Sequence, residues 1–277
     1  MGRALATVEA SIRGCRDTGS RRDEAFALFN RTQVRLMRGD LGGALEDAEA
    51  GIAIAQELDL PRGEIVGRNV AIDVLGELWC FEDMARHSEA VTRTCDVLGG
   101  GFQRSVVLAD AAWVALWRGK RRFADELFER SHASDVSTLD VGWAGQTEVL
   151  AWEWAGDPDR LERVADRLTE RLDGGYPVWL AWGRYARALA SLLRGRWELA
   201  QELGEESLRM ARSHGHRRAA WRSARVLARA QDALGLRSEA AASRELGRSL
   251  LEPAIATIPD RCRERFLSRP DVTELMS

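Results

Sequence analysis

The sequence predicts an all-α fold: a right-handed α-solenoid of about six helix-turn-helix units with a helical cap at its C-terminal end. Three observations carry that expectation. Proline is scarce and strand-like alternation of β-branched residues is almost absent, while Ala, Leu, Arg and Glu fill long segments at helical spacing. A turn residue, Gly in five of six copies, recurs between helical runs at Gly39, Trp79, Gly119, Gly156, Gly195 and Gly235, with intervals of 40, 40, 37, 39 and 40 residues. Five residues after each turn stand Ala44, Met84, Ala124, Leu161, Ala200 and Ala240, four of the six being Ala.

The elements follow in order. Residues 1–20, with "ALATVEASIRGC", read as the second helix of a hairpin whose first helix is missing, because Ala4 lies 40 positions before Ala44. This stretch is a partial repeat or an N-terminal capping helix, so the chain is expected to begin in mid-array. Residues 21–258 form the repeat array, seen in "RGDLGGALEDAEA", "LWCFEDMARHSEAV", "WRGKRRFADELF", "WAGDPDRLERVA", "LRGRWELAQELG" and "ALGLRSEAAASR". In each unit a helix stops at a residue free to take left-handed backbone angles, which Gly does without a Cβ clash. The small residue after the turn lets the second helix cross the first closely.

Between units lie a second set of breakers, "LDLPRG" (58–63), "LGGG" (98–101), "LDGGYP" (172–177) and "SHGH" (213–216). Two alternating turn classes are therefore expected. Beyond the sixth hairpin, Pro253, Pro259 and Pro270 divide the text into short helices. Residues 259–277 read as the cap, docked through Ile258, Phe266, Leu267, Val272 and Leu275.

With these features, "RGDLGGALEDAEAGIAIAQELDLP" resembles a tetratricopeptide repeat of the longer, roughly 40-residue kind, and the likeness runs from Ala4 to about Leu251. The signature positions are partly kept, in Leu41, Phe123 and Trp197 near turns and in Pro61 after one unit. The ending "IPDRCRERFLSRPDV" is similar to the C-terminal repeat regions of large bacterial regulators that also carry an ATPase module. That resemblance implies a sensing or docking module, with transcriptional or signalling output placed outside this stretch. The sequence holds no G-x-x-x-x-G-K-[ST] phosphate loop and no helix-turn-helix recognition segment.

Composition excludes several classes. A net charge of -3 and a pI near 5.9 argue against a protein that coats nucleic acid. Lys120 is the single Lys among 40 basic residues, a mark of Arg-rich, GC-rich bacterial coding. No run approaches the roughly 20 apolar residues that span a membrane, so a cytoplasmic protein with no membrane contact is expected. Cys15, Cys80, Cys95 and Cys262 lie too far apart in sequence to suggest a metal knuckle or a redox dithiol.

The first helix of each unit is expected to line a concave groove, and positions 13, 10, 6 and 2 before each turn keep to one helical face. That stripe reads Asn69, Asp73 and Glu77; then Trp113 and Trp117; then Trp143, Gln146, Leu150 and Trp154. It continues through Trp182, Tyr185, Leu189 and Leu193 to Arg222, Arg225 and Arg229. Read functionally, it is an aromatic groove with an acidic and a basic end, suited to a peptide or an amphipathic helix. Read structurally, the Trp residues are core and the Arg row pairs with Asp260, Glu264 and Asp271 of the cap.

Enzymatic chemistry is not expected. None of His87, His132, His214 and His216 has a Cys or carboxylate neighbour at metal-ligand spacing, and the "HGH" pair at His214 and His216 reads as an exposed loop. Asp157 and Asp159, flanking Pro158, fit helix capping. No G-x-S-x-G elbow is present. The chain is expected to be a non-catalytic scaffold that needs neither cofactor nor metal. It would bind a protein or peptide partner, another domain of a longer parent or a second copy of itself, with no direct nucleic-acid role. The alternative is a small-molecule inducer sensor that closes its aromatic groove around a ligand.

Overall fold

The computed structural model describes residues 2–99, 101, 103–133, 137–172 and 176–277. Among them there are fifteen α-helices and no strand. They are α1 (Gly2–Asp17), α2 (Arg21–Arg38), α3 (Leu41–Glu57), α4 (Pro61–Glu77), α5 (Phe81–Val97), α6 (Arg104–Trp117) and α7 (Arg121–His132). Then come α8 (Thr138–Ala155), α9 (Pro158–Arg171), α10 (Pro177–Leu193), α11 (Trp197–Ser213), α12 (Arg217–Ala233), α13 (Arg237–Thr257), α14 (Asp260–Leu267) and α15 (Pro270–Met276). The fold is all-α, and helices pack on their neighbours in chain order as in a helical solenoid.

The turn register is the one the glycines mark. Gly39, Gly119, Gly156, Gly195 and Gly235 all have φ between +63° and +82°, and Trp79, where the pattern lacks a Gly, takes φ 58° as well. At each turn two amides fold back on the ending helix: Gly39 N–H reaches Leu36 O and Asp40 N–H reaches Arg35 O, and Trp79 N–H reaches Gly76 O and Cys80 N–H reaches Leu75 O. This paired closure satisfies carbonyls the helix leaves open. The residues five places on, Ala44, Met84, Ala124, Leu161, Ala200 and Ala240, are all fully buried.

The connections between hairpins depart from expectation. They are not a second class of turn: Gly19, Asp59 and Gly215 also have positive φ, and Leu60 N–H and His216 N–H close back on Ala55 O and Ala211 O in the same way. Gly100 of "LGGG" and residues 173–175 of "LDGGYP" lie outside the described residues. Pro253 sits inside α13 without ending it. The next break comes at Ile258 and Pro259, between α13 and α14.

The chain divides into two compact units, one of residues 1–135 with 257–266 and one of residues 136–256 with 267–277. In the first unit aromatic rings fill sockets left by glycines. A Cβ on Gly76 would lie 2.3 Å from the Trp113 ring, and one on Gly42 would lie 1.9 Å from the Thr257 carbonyl oxygen, so both close approaches exclude a side chain. Thr257 Oγ1 also accepts a hydrogen bond from Leu41 N–H at 3.1 Å. Ile258, Cys262 and Phe266 are buried here.

In the second unit the Trp179 ring fills the space at Gly142, where a Cβ would come within 2.1 Å of it. Val272 and Leu275 of α15 are buried, Leu275 against Gly247 of α13, and Arg248 Nε donates to Leu275 O at 3.1 Å. Leu267, expected to dock the cap, is instead exposed, because the buried face of α14 runs through Cys262 and Phe266.

Candidate functional site

In the second unit the predicted stripe converges on a carboxylate it did not include. Glu153 of α8 accepts hydrogen bonds from Tyr185 Oη at 2.6 Å, Arg222 Nε at 3.2 Å and Arg225 at 3.1 Å. Arg225 also reaches Glu274 of α15 at 3.3 Å, and Arg229 lies 3.6 Å from the same carboxylate. The partners of the Arg row are thus Glu153 and Glu274. Asp260 and Glu264 make no described ion pair with it, and Asp271 is held by Arg269 at 2.5 Å. Glu153 was reachable from sequence: a last step of three residues from Leu150, in place of four, lands on it.

The surroundings are aromatic and mostly dry. Trp182 and Tyr185 are fully buried with rings edge to face at 5.7 Å. Arg222 lies over Trp221 at 4.2 Å and Arg218 over Trp182 at 5.5 Å, cation-ring contacts that gain strength when desolvated. Burial and the nearby Glu153 carboxylate raise the Tyr185 hydroxyl well above its ordinary value, so it remains a donor. Burial opposes the charge on Arg225, but the carboxylates of Glu153, Asp271 and Glu274 outweigh it and raise its pKa. Burial likewise opposes ionised Asp271, yet Arg269, Arg225 and Arg222 hold its pKa well below the usual carboxylate range.

Other stripe positions divide by exposure. Gln146 is buried, and neither of its amide atoms has a hydrogen-bond partner among the described residues. Trp143 is half-buried and meets Trp179 edge to face at 5.3 Å. Trp154, Leu193 and Arg229 are exposed. In the first unit Asn69, Asp73 and Glu77 are buried, Asn69 donating to Gln103 Oε1 at 2.8 Å. Trp113 is buried on Gly76, while half-buried Trp117 stacks on Phe81 at 5.6 Å. Packing therefore covers most of the stripe, and its accessible members stand near the C-terminal ends of α8, α10 and α12.

The first unit holds a cavity of about 530 Å³ away from this stripe, between α5, α6 and α7. Val107, Leu108, Ala111, Val114, Ala115 and Leu127 line it with apolar surface, and exposed Phe123 flanks it. Five cations (Arg93, Arg104, Arg118, Lys120, Arg130) border it against two acids, Glu89 and Asp96, and Arg118 pairs with Glu89 at 2.7 Å. Helical periodicity marks α6 as buried all round and gives no signal for this opening.

The histidines lie in different settings among the described residues. His216 is fully buried at the start of α12, within 3.3 Å of Trp182 Nε1, and His214 is half-buried beside the Met210 carbonyl, so neither has the exposed loop setting expected of the pair. His87 is half-buried beside Arg68, and desolvation with that guanidinium pushes its pKa down to about 4. Among the described residues no group of three His, Cys, Asp or Glu is arranged to hold a metal. Asp157 caps α9 as expected, accepting from the Asp159 and Arg160 amides at 3.0 Å. No described helix is long and apolar enough to cross a membrane. No protein-family model matches the chain, and no curated protein matches it.

Proposed function

We propose that the chain is a non-catalytic interaction scaffold of the tetratricopeptide kind, the docking or sensing module of a bacterial cytoplasmic regulator. The observation that carries this reading is the exposed row of Trp154, Leu193 and Arg229, set on helices whose inner neighbours Tyr185, Arg222 and Arg225 are locked. Trp and Arg are among the residue types that dominate interface hot spots, and rigid support lowers the entropy cost of binding. The occupant this surface suits is an amphipathic helix with an apolar face and an acidic flank. A displayed library of acidic 18-residue peptides would test it: binders should be enriched, and Trp154→Ala should weaken them at least tenfold. No enrichment, or binding indifferent to Trp154, overturns the reading.

A second reading, a small-molecule sensor, rests on the cavity of the first unit rather than on the aromatic stripe. Its apolar lining and cationic border suit an amphipathic anion such as a medium-chain acyl carboxylate, and its size falls within the usual range of ligand sites. Decanoate should raise the melting temperature of the chain but not of Ala111→Trp, which fills the cavity. Equal behaviour of the two proteins rejects this reading.

A further inference from the structure

Four thiols stand far apart in the sequence, yet two of them meet. Cys80, the residue before α5, and Cys262, on the first turn of α14, are 182 positions apart, and their sulfurs lie 2.7 Å from one another in the first unit. That separation is only about 0.7 Å beyond a covalent S–S bond. Both are buried, whereas Cys15 is partly exposed and Cys95 is buried elsewhere in the unit. We propose that Cys80 and Cys262 form a reversible oxidation site, which hydrogen peroxide converts into a disulfide joining the α4–α5 turn to α14.

The surroundings assign the two sulfurs different roles. Cys80 donates its S–H to Cys262, and Arg261, itself paired with Glu49 at 2.6 Å, contacts Cys262 from the same helix. Asp83 and Arg265 also face the pair, Arg265 being held by Glu82 at 3.1 Å. The hydrogen bond from Cys80, aided by Arg261, brings Cys262 down to about 7, while that same bond and burial push Cys80 up. Arg261 beside it and its place in the first turn of α14 favour the thiolate at Cys262, which is therefore the nucleophile, with Cys80 the resolving thiol.

In the first step the Cys262 thiolate attacks peroxide, the O–O bond breaks, and the departing hydroxide takes up the proton Cys262 had lost, leaving water and a sulfenic acid. In the second, the Cys80 sulfur attacks the Cys262 sulfur, the S–O bond breaks, and the leaving hydroxide takes the Cys80 proton as a second water. Two thiols and one peroxide become one disulfide and two waters, each sulfur losing one electron and the peroxide oxygens gaining both. Burial restricts the reaction to a small oxidant entering as the eight-residue α14 opens. Cross-linking across so long a loop restricts the unfolded chain and stabilises the folded one.

The test treats the full chain with hydrogen peroxide, blocks remaining thiols with an alkylating agent under denaturing conditions, and maps peptides by mass. Cys80 and Cys262 should appear cross-linked, with a loss of two hydrogens, while Cys15 and Cys95 carry the alkyl label. The melting temperature should rise by about 5 °C or more and return on adding dithiothreitol. Cys80→Ala and Cys262→Ala should each remove the rise, and the peptide map of the unaltered protein needs neither variant to fold. Alkylation of both Cys80 and Cys262 after peroxide, sulfinic acid at Cys262 without a cross-link, or a scrambled set of pairings overturns the proposal.

Discussion

The two units fill the same hairpin frame with different weight on volume and on charge, although each seats a ring on a glycine. In the first, large rings settle into spaces left by glycine, as Trp113 does on Gly76, and the fit is one of volume. In the second, the inner face carries Glu153, Tyr185, Arg222, Arg225 and Glu274, and the fit is one of charge and donor count. A volume fit fails when atoms are added, because a close-packed interior has no room to yield. A charge fit fails when one partner is taken away, because the other is left ionised and dry.

The largest effect is expected from Glu153→Ala, which leaves Arg222 and Arg225, with side chains 1% and 8% exposed, without their shared carboxylate. Stability measured by urea unfolding should fall by about 3–5 kcal/mol. A loss below about 1 kcal/mol would remove the contrast between the units. Next comes Gly76→Leu in the first unit, where the new side chain meets the Trp113 ring; overpacking should cost about 1–3 kcal/mol. Adding Trp113→Ala to that variant should return part of the loss, and a purely additive double variant would argue against the socket.

Acid separates the units more gently. His87 in the first unit has a folded pKa of about 4, below its ordinary 6.5, so the unfolded chain takes its proton first. Stability from this group is full above about 6.5 and is lost as the pH falls towards 4. Between pH 7 and 4.5 the parent protein should lose about 1–2 kcal/mol more than His87→Gln, since partial exposure screens the effect. Asp271 in the second unit has a lowered pKa, so its contribution persists above the ordinary carboxylate value and falls away only below it. A parent and a His87→Gln protein with superimposable stability profiles would contradict this assignment.

The smallest effect has the opposite sign. Asp59 in the first unit occupies φ 50°, where the matching turn of the second unit has Gly215 at φ 68°. Asp59→Gly should relieve that conformation and stabilise by about 0.5 kcal/mol, read as a small rise in urea midpoint. Destabilisation would mean that the Asp59 side chain supports its turn.

The register of this protein was legible from its residues alone. Gly39, Gly119, Gly156, Gly195 and Gly235 mark helix ends because reversal over so few residues needs positive φ, and Trp79 was placed among them by interval alone. The buried positions five residues on were legible for the same reason: helical period and turn position together set which face crosses the partner helix. What covers a face was not legible. Periodicity picks out Trp113, Trp182 and Arg222 as one stripe but carries no information on whether a neighbouring helix or a partner lies against it. Only tertiary packing joined Glu153 and Glu274 through Arg225, brought Cys80 to Cys262, and opened a cavity beside α6, because each depends on side chains of different helices whose positions follow from how hairpins stack.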